Sequence, residues 1–350
     1  MRILVTGGAG YIGSHACQRL LRDGHHVVSI DNLHRGHITP MNLLSTEFTD
    51  RFSFVHADLG DTQTVLNTLN KHQLDTVMHF GALAYVGESV ENPLWYYRNN
   101  IVSGIGLLDA CDAAHDGKGI SRFIFSSSCA TYGDPPEDMI PVPEHCPQHP
   151  TSPYGSTKLH FEHILKEYAT KRARENNPIA LTMLRYFNVA GSDRTGILGE
   201  DHAPETHLIP VALNTALGKR ESMSIFGTDY PTPDGTNIRD YVHVEDLIDA
   251  HVRAMDRVQL GQTEAFNVGI GEGYSVRQIL DSVKRVSDVD FPVHESQRRA
   301  GDAIALYNDP TKIKATLGWQ AQMTDIDDVV STAWNWFQKN PEGYDDANQP

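Results

Sequence analysis

Apolar and polar positions along the chain fall into short unbroken apolar runs separated by longer stretches with helical spacing. Arg2-Ile3-Leu4-Val5-Thr6 reads as a buried strand, and the stripe Ile12, Ala16, Leu20 and Leu21 predicts a helix behind it, ended by Gly24. Val27-Val28-Ser29-Ile30 predicts a second strand, Phe52-Ser53-Phe54-Val55 a third and Thr76-Val77-Met78-His79-Phe80 a fourth. Arg122-Phe123-Ile124-Phe125 predicts a fifth, ending in Ser126-Ser127-Ser128, and Ala180–Tyr186 a sixth. Long helical patterns cover residues near 94–114 and 154–175. Continuous apolar strands alternating with helices call for a doubly wound, Rossmann-type α/β fold with a parallel sheet. Such folds bind ligands at the carboxyl ends of the strands, and Gly10, Asp31, Asp58, Phe80, Ser128 and Phe187 all fall there.

Beyond residue 187 the pattern becomes irregular and rich in Gly, Pro and Asp. It predicts a nucleotide-binding domain over 1–187 and a smaller C-terminal domain over 188–340 that closes on it. A strand-to-helix pattern at residues 241–247 suggests that the first domain regains segments near 238–270. Residues 341–350 read as a disordered tail. The formal charge of -16 over 350 residues argues against nonspecific nucleic-acid binding and against a polybasic membrane contact. No apolar run is long enough to cross a membrane, and the strand beginning at the second residue leaves no room for a signal peptide. Four scattered cysteines do not make a disulfide framework, so a reducing cytoplasm is the expected compartment. Despite 18 histidines, His-Glu-x-x-His is absent. His145-Cys146-Pro147-Gln148-His149 lies in a proline-rich loop, and no metal site is expected.

Two motifs carry chemistry. Gly7-Gly8-Ala9-Gly10-Tyr11-Ile12-Gly13 follows the first strand and opens the first helix, and Asp31 ends the second strand. That order is a dinucleotide-binding unit: the glycines admit a pyrophosphate to the helix N-terminus, and the acid accepts from the adenosine ribose. A carboxylate there repels a 2′-phosphate, which favours NAD over NADP. The second motif is Ser152-Pro153-Tyr154-Gly155-Ser156-Thr157-Lys158. Ser152 suits an N-cap and Pro153 the first helical position, which puts Tyr154 and Lys158 one turn apart on one face. An ammonium near a phenol favours the phenolate, a usable general base. Moving a phenol from ~10 to ~7 takes about 4 kcal/mol, more than one exposed charge supplies, so a second positive charge such as an oxidised nicotinamide is expected. Ser128 and Tyr154 should face the same crevice.

With its glycines spaced G-x-x-G-x-x-G, the chain resembles the extended short-chain dehydrogenase/reductases, and among them the UDP-glucose 4-epimerase family, over nearly its whole length. Further marks are Asp31-Asn32-Leu33, Val86-Gly87-Glu88-Ser89-Val90, Leu184-Arg185-Tyr186-Phe187-Asn188, Phe226-Gly227-Thr228-Asp229-Tyr230, Arg239-Asp240-Tyr241-Val242-His243 and Arg298-Arg299-Ala300-Gly301-Asp302. The resemblance implies Tyr154 as base, Lys158 as contact to the nicotinamide ribose and tuner of the phenol, and Ser128 as relay. It implies that Gly7, Gly10, Tyr11, Ile12, Gly13, Asp31, Asn32, Asp58, Leu59, Phe80, Gly81, Ala82, Asn99, Tyr154, Lys158 and Phe187 line an NAD site. It likewise implies that Ser128, Tyr154, Asn188, His207, Leu208, Phe226, Arg239, Arg299, Asp302 and Leu306 hold a UDP-hexose, and that the protein is a homodimer through the two long helices. Forked guanidinium contacts from Arg239 and Arg299 suit a diphosphate.

The chain departs from the family pattern at several points. Phe80-Gly81-Ala82-Leu83-Ala84 lacks a lysine found in some members, Ala130 stands where Thr is common, and His207 replaces an Asn. Leu306 aligns with a position that gates the sugar pocket and is intermediate in size. The rival readings are a 4-epimerase of UDP-GlcNAc or a UDP-pentose, and a non-catalytic NAD-sensing scaffold. A nucleotide-sugar 4,6-dehydratase would need carboxylates beside the catalytic serine, where Cys129 and Ala130 stand.

Overall fold

The computed structural model describes residues 1–299 and 302–346. Seven parallel strands form the central sheet in the spatial order Thr263–Val268, Ala180–Tyr186, Arg122–Ser128, Thr76–His79, Arg2–Thr6, His26–Asp31, Phe52–His56. Arg2–Thr6 lies between His26–Asp31 and Thr76–His79, so the strand order reverses on either side of it. The glycine turn leaves this strand, which places it at the topological switch point where such sheets open a crevice.

Alternation along the strands explains the two helical layers. Ile3 and Val5 join one core with Ala16 and Leu20 of the helix Tyr11–Arg22 and with Leu247 and Val252 of the helix Val244–Arg257. Leu4, between them, joins the opposite core with Leu69 of Thr62–His72, Leu107 of Ser103–Gly117 and Phe161 of Pro153–Arg174. A third core gathers the helices Leu208–Ala216, Val276–Ser287 and Ile326–Lys339 around Met223, Ile225 and Phe291. The doubly wound sheet with a smaller C-terminal domain is therefore the fold. Late in the chain, Thr263–Val268 returns to the central sheet and pairs with Ala180–Tyr186.

Two local expectations need correction. The pattern near 94–114 is not one regular helix: a helix Pro93–Tyr97 passes through a π-helical turn, Arg98–Val102, into Ser103–Gly117. The proposed tail is docked as far as it is described. The Tyr344 ring packs 5.2 Å from that of Trp336, its hydroxyl accepts from the Gly199 N–H at 2.8 Å, and Asp346 accepts from Thr39 N and Oγ1. Residues 347–350 lie outside the described part. Among the described residues no helix is long and apolar enough to cross a membrane.

Candidate active site

The glycine turn is dictated by close approach. Gly7 has φ +68°, and a Cβ there would lie 2.5 Å from the Gly81 nitrogen; a Cβ on Gly13 would lie 2.0 Å from the Gly7 oxygen. Gly10 differs, since its nearest contact would be the Gly7 oxygen at 3.4 Å. Space on that side is left for a ligand rather than filled by protein. The helix Tyr11–Arg22 has no side-chain cap and no acid in its first turn, so its amide N–H groups can receive an anion. Asp31 accepts from Ala9 N (3.1 Å) and Leu33 N (2.8 Å). Burial raises its pKa and these two bonds oppose the rise. Asn32 donates to Asp58, which ties two neighbouring strand ends together (2.7 Å).

From this turn a crevice of about 450 Å³ runs along the carboxyl ends of the strands. The structure brings to its walls Gly7, Gly10, Tyr11, Ile12, Gly13, Asp31, Asn32, Asp58, Leu59, Phe80, Gly81, Ala82, Asn99 and Phe187. Ser128, Tyr154, Lys158, Asn188, His207 and Leu208 line it as well. Asn99 reaches the wall from the π-helical turn. Its neighbour Asn100, which the sequence did not single out, is buried and bonds Leu83 N and O and Thr157, fixing the crevice floor to the helix Pro153–Arg174.

That helix begins as its sequence directs. Ser152 caps it by accepting from Gly155 N at 3.1 Å, with Pro153 at the first position. Tyr154 and Ser128 line the same crevice, close enough for the serine hydroxyl to pull the phenol's pKa down, and Ser128 Oγ accepts from Ala130 N at 3.1 Å. Lys158 Nζ donates to the Ser126 carbonyl at 2.7 Å and lies 5.8 Å from the centre of the Tyr154 ring. The strand end carrying these serines is held from behind. Ser127 donates to Glu162 (2.6 Å), and Arg185 grips the same carboxylate with two N–H groups at 2.9 and 2.7 Å.

The electrostatics differ from the expectation for a Tyr–Lys pair. Burial pushes the Tyr154 phenol up to about 12, against the pull of Ser128. Burial also draws the Lys158 ammonium down to about 7. The protein's own groups leave the phenol protonated at neutral pH, because desolvation outweighs the pull of the Ser128 hydroxyl.

The remaining predicted substrate residues gather beside the crevice and do not line it. The Arg299 guanidinium stacks 3.8 Å from the Phe226 ring centre, and Arg239 lies 4.0 Å from Asp302. Leu306 pairs in register with Arg239 and packs in a small core with Cys129 and Phe187. Thus Leu306 meets the crevice wall at Cys129 and Phe187.

Several wall residues went unnoticed in the sequence. Arg35 donates to Glu88 and to Ala203 O (2.6 Å) and stacks on Tyr85, joining its own loop and the segment of Ala203 to the start of the helix Val86–Glu91. Glu200 and His202 line the same wall. The spacing Glu200-x-His202-x-x-Glu205-x-His207 was the signal available for them.

Comparison with known proteins agrees with this geometry. Residues 4–333 match the family model described as GDP-mannose 4,6 dehydratase. A UDP-glucose 4-epimerase of Lactobacillus helveticus is 44% identical over 99% of this chain and all of that one. A probable UDP-arabinose 4-epimerase of rice, Oryza sativa subsp. japonica, is 43% identical over 98% of this chain and 83% of its own length. The crystal structure of a Bifidobacterium longum UDP-glucose 4-epimerase in complex with NAD⁺ and UDP superposes with a TM-score of 0.90 at 35% identity, covering 98% of this chain and all of that one. Sequence, fold and crevice together place this chain in the UDP-glucose 4-epimerase family.

Proposed function

We propose that the chain interconverts UDP-galactose and UDP-glucose by oxidation and re-reduction at sugar C4. The observation that carries this reading is the gathering of Ser128, Tyr154 and, one turn on, Lys158 on the wall of a single crevice that begins at the glycine turn.

NAD fits this crevice. Asp31 uses two acceptor sites on backbone N–H groups and keeps lone pairs for ribose hydroxyls. Arg35, the cation that could have met a 2′-phosphate, is committed to Glu88 and Ala203. When bound, NAD⁺ supplies a hydride acceptor at C4 and gives the hydride back. Tyr154 takes the proton of the sugar 4-hydroxyl and later returns it, Ser128 orients that hydroxyl, and Lys158 supplies positive charge beside the phenolate. Arg239 and Arg299 bind the diphosphate, with Phe226, Asp302, Asn188, His207, Leu208 and Leu306 shaping the rest of the UDP-sugar site. The 4-ketone turns about its link to the diphosphate between the two hydride steps, so no net oxidation occurs. Removing water instead, as a dehydratase does, would need a carboxylate where Cys129 and Ala130 stand.

Purified protein given UDP-galactose without added NAD should form UDP-glucose, and Tyr154→Phe should lower the rate at least ~10²-fold. Silence on every UDP-sugar, with NAD supplied, would overturn the reading. UDP-pentoses are the second reading, favoured by the likeness to the rice protein, and turnover of UDP-arabinose or UDP-xylose alone would move the substrate while keeping the mechanism. A homodimer is part of the proposal. Val90, Leu94 and Val102, all on the 86–117 helical run, are 62%, 69% and 62% exposed, as an uncovered interface would be. A monomer mass by light scattering at micromolar concentration would count against it.

A further inference from the structure

Between the short strand Asn188–Ala190 and the helix Leu208–Ala216, residues 200–207 follow the crevice wall, and four of their side chains converge. One ligand atom from each of Glu200, His202, Glu205 and His207 lies within 4.8 Å of the others. His202 Nδ1 is 3.2 Å from Glu200 Oε1 and 3.6 Å from Glu205 Oε2. His207 Nδ1 is 2.7 Å from Glu200 Oε1 and 3.5 Å from Glu205 Oε1. A tetrahedral zinc ion with bonds of about 2.0–2.1 Å sets its ligand atoms ~3.3 Å apart; the 3.2, 3.5 and 3.6 Å contacts sit close to that spacing, and the 2.7 Å His207–Glu200 contact is a hydrogen bond that the ion would have to open.

Orientation adds to distance. His202 Nδ1 is sealed from solvent and makes no well-aligned hydrogen bond, although a carboxylate oxygen stands 3.2 Å away. An imidazole nitrogen and a carboxylate oxygen in contact without pointing at each other are arranged as two donors to a shared third atom. Two carboxylates and two neutral imidazoles also balance a divalent charge, and the mixed N/O donor set suits zinc.

We propose that Glu200, His202, Glu205 and His207 bind one zinc ion as a closed structural site. Four protein ligands leave no open position, so the ion's role is to pin the wall and not to activate substrate. What it would pin is specific. This segment presents the Ala203 carbonyl to Arg35, backs His202 against the rings of Tyr11 and Tyr85 at 6.4 and 5.7 Å, and leads directly into Leu208. The competing occupant is protons. Without an ion, and despite burial, the two carboxylates hold both histidines above their ordinary range.

The test is zinc chloride titrated into chelator-dialysed full-length protein, with bound metal counted by mass spectrometry and affinity measured against a chromogenic chelator. One equivalent per chain is expected, weakened more than ~100-fold by His202→Ala and by Glu205→Gln, since losing a direct ligand should exceed the usual second-shell effect. Because either substitution could loosen the loop, the X-ray absorption spectrum of zinc-loaded parent protein gives a readout without mutation. It should show two imidazoles and carboxylate oxygens at about 2.0–2.1 Å. No stoichiometric binding, binding that survives either substitution, or a spectrum without two imidazoles would overturn the proposal in favour of a proton-filled ion-pair cluster.

Discussion

Replacing Lys158 by Met tests whether its charge, rather than its bulk, makes Tyr154 a base. The ammonium lies 5.8 Å from the phenol ring centre. At an effective dielectric of about 20, a unit charge at that distance is worth about 3 kcal/mol, or about 2 pKa units on the phenol. Burial has already raised that phenol to about 12. That value already includes the neighbouring lysine, so the ammonium's pull is expected in the cofactor-loaded enzyme, where a bound oxidised cofactor would add a second positive charge. The two side chains titrate as a pair, because a phenolate stabilised by the ammonium holds the ammonium's proton in return. Lys158→Met should therefore shift the ascending, acid-side limb of the pH–kcat profile up by about 2 units, lowering the rate ~10²-fold at pH 7 and progressively less toward pH 10. The assay is kcat for UDP-galactose from pH 6 to 10, with cofactor content measured in each preparation. Profiles that stay parallel, offset by a constant factor, would refute the electrostatic account and leave Lys158 a positioning role only.

Two further substitutions probe the scaffold. Glu162→Ala strands the Arg185 guanidinium in the core and should lower unfolding stability by about 3–5 kcal/mol, read from the urea midpoint; a loss under ~1 kcal/mol would mean that solvent reaches the pair. Burial alone would raise the Glu162 pKa, but Arg185 and Ser127 hold it below the ordinary carboxylate range. Its contribution is thus present above about pH 4.3 and lost as pH falls through the depressed value, so parent and variant should converge in acid. Gly13→Ala meets the Gly7 oxygen at 2.0 Å and should destabilise by about 1–3 kcal/mol or more, whereas Gly10→Ala meets nothing closer than 3.4 Å. Gly10→Ala should keep its melting temperature but lose bound cofactor, and the reverse ranking of the two glycines would show that their roles are misassigned.

What the sequence made legible was local. Ser152 and Pro153 start their helix at the predicted residue, and that start alone puts Tyr154 and Lys158 on one face. Gly7 and Gly13 mark their turn because sterics within one βα unit demand them. What stayed hidden depends on partners distant in the chain. Nothing in the pattern around Asn100 tells that it will bond Leu83 and Thr157, nor around Arg185 that it will find Glu162. The docking of residues 341–346 was lost for the same reason: composition read them as solvated, and only the folded neighbours Trp336, Gly199 and Thr39 give Tyr344 and Asp346 something to hold. Helical periodicity near 94–114 was also too coarse to reveal the π-helical turn that brings Asn99 to the crevice.

The buried pair behind the site and the strained titration within it are linked. Tyr154 and Lys158 both sit where desolvation opposes their charged forms, and a crevice built only for stability would avoid that. Lys158 stays in place because Ser126 offers its carbonyl, and Ser126 stays in place because the adjacent Ser127 is anchored through Glu162 to Arg185. Arg185 in turn is gripped by the Tyr132 hydroxyl and the Glu144 carbonyl. A buried ion pair thus anchors the residue next to the carbonyl that holds Lys158. In the proposed mechanism, that arrangement would keep the buried phenol protonated until a second positive charge is bound beside it. Under the proposed mechanism such a base would be off without its cofactor, which suits a reaction in which hydride leaves C4 as the proton leaves the hydroxyl oxygen on it.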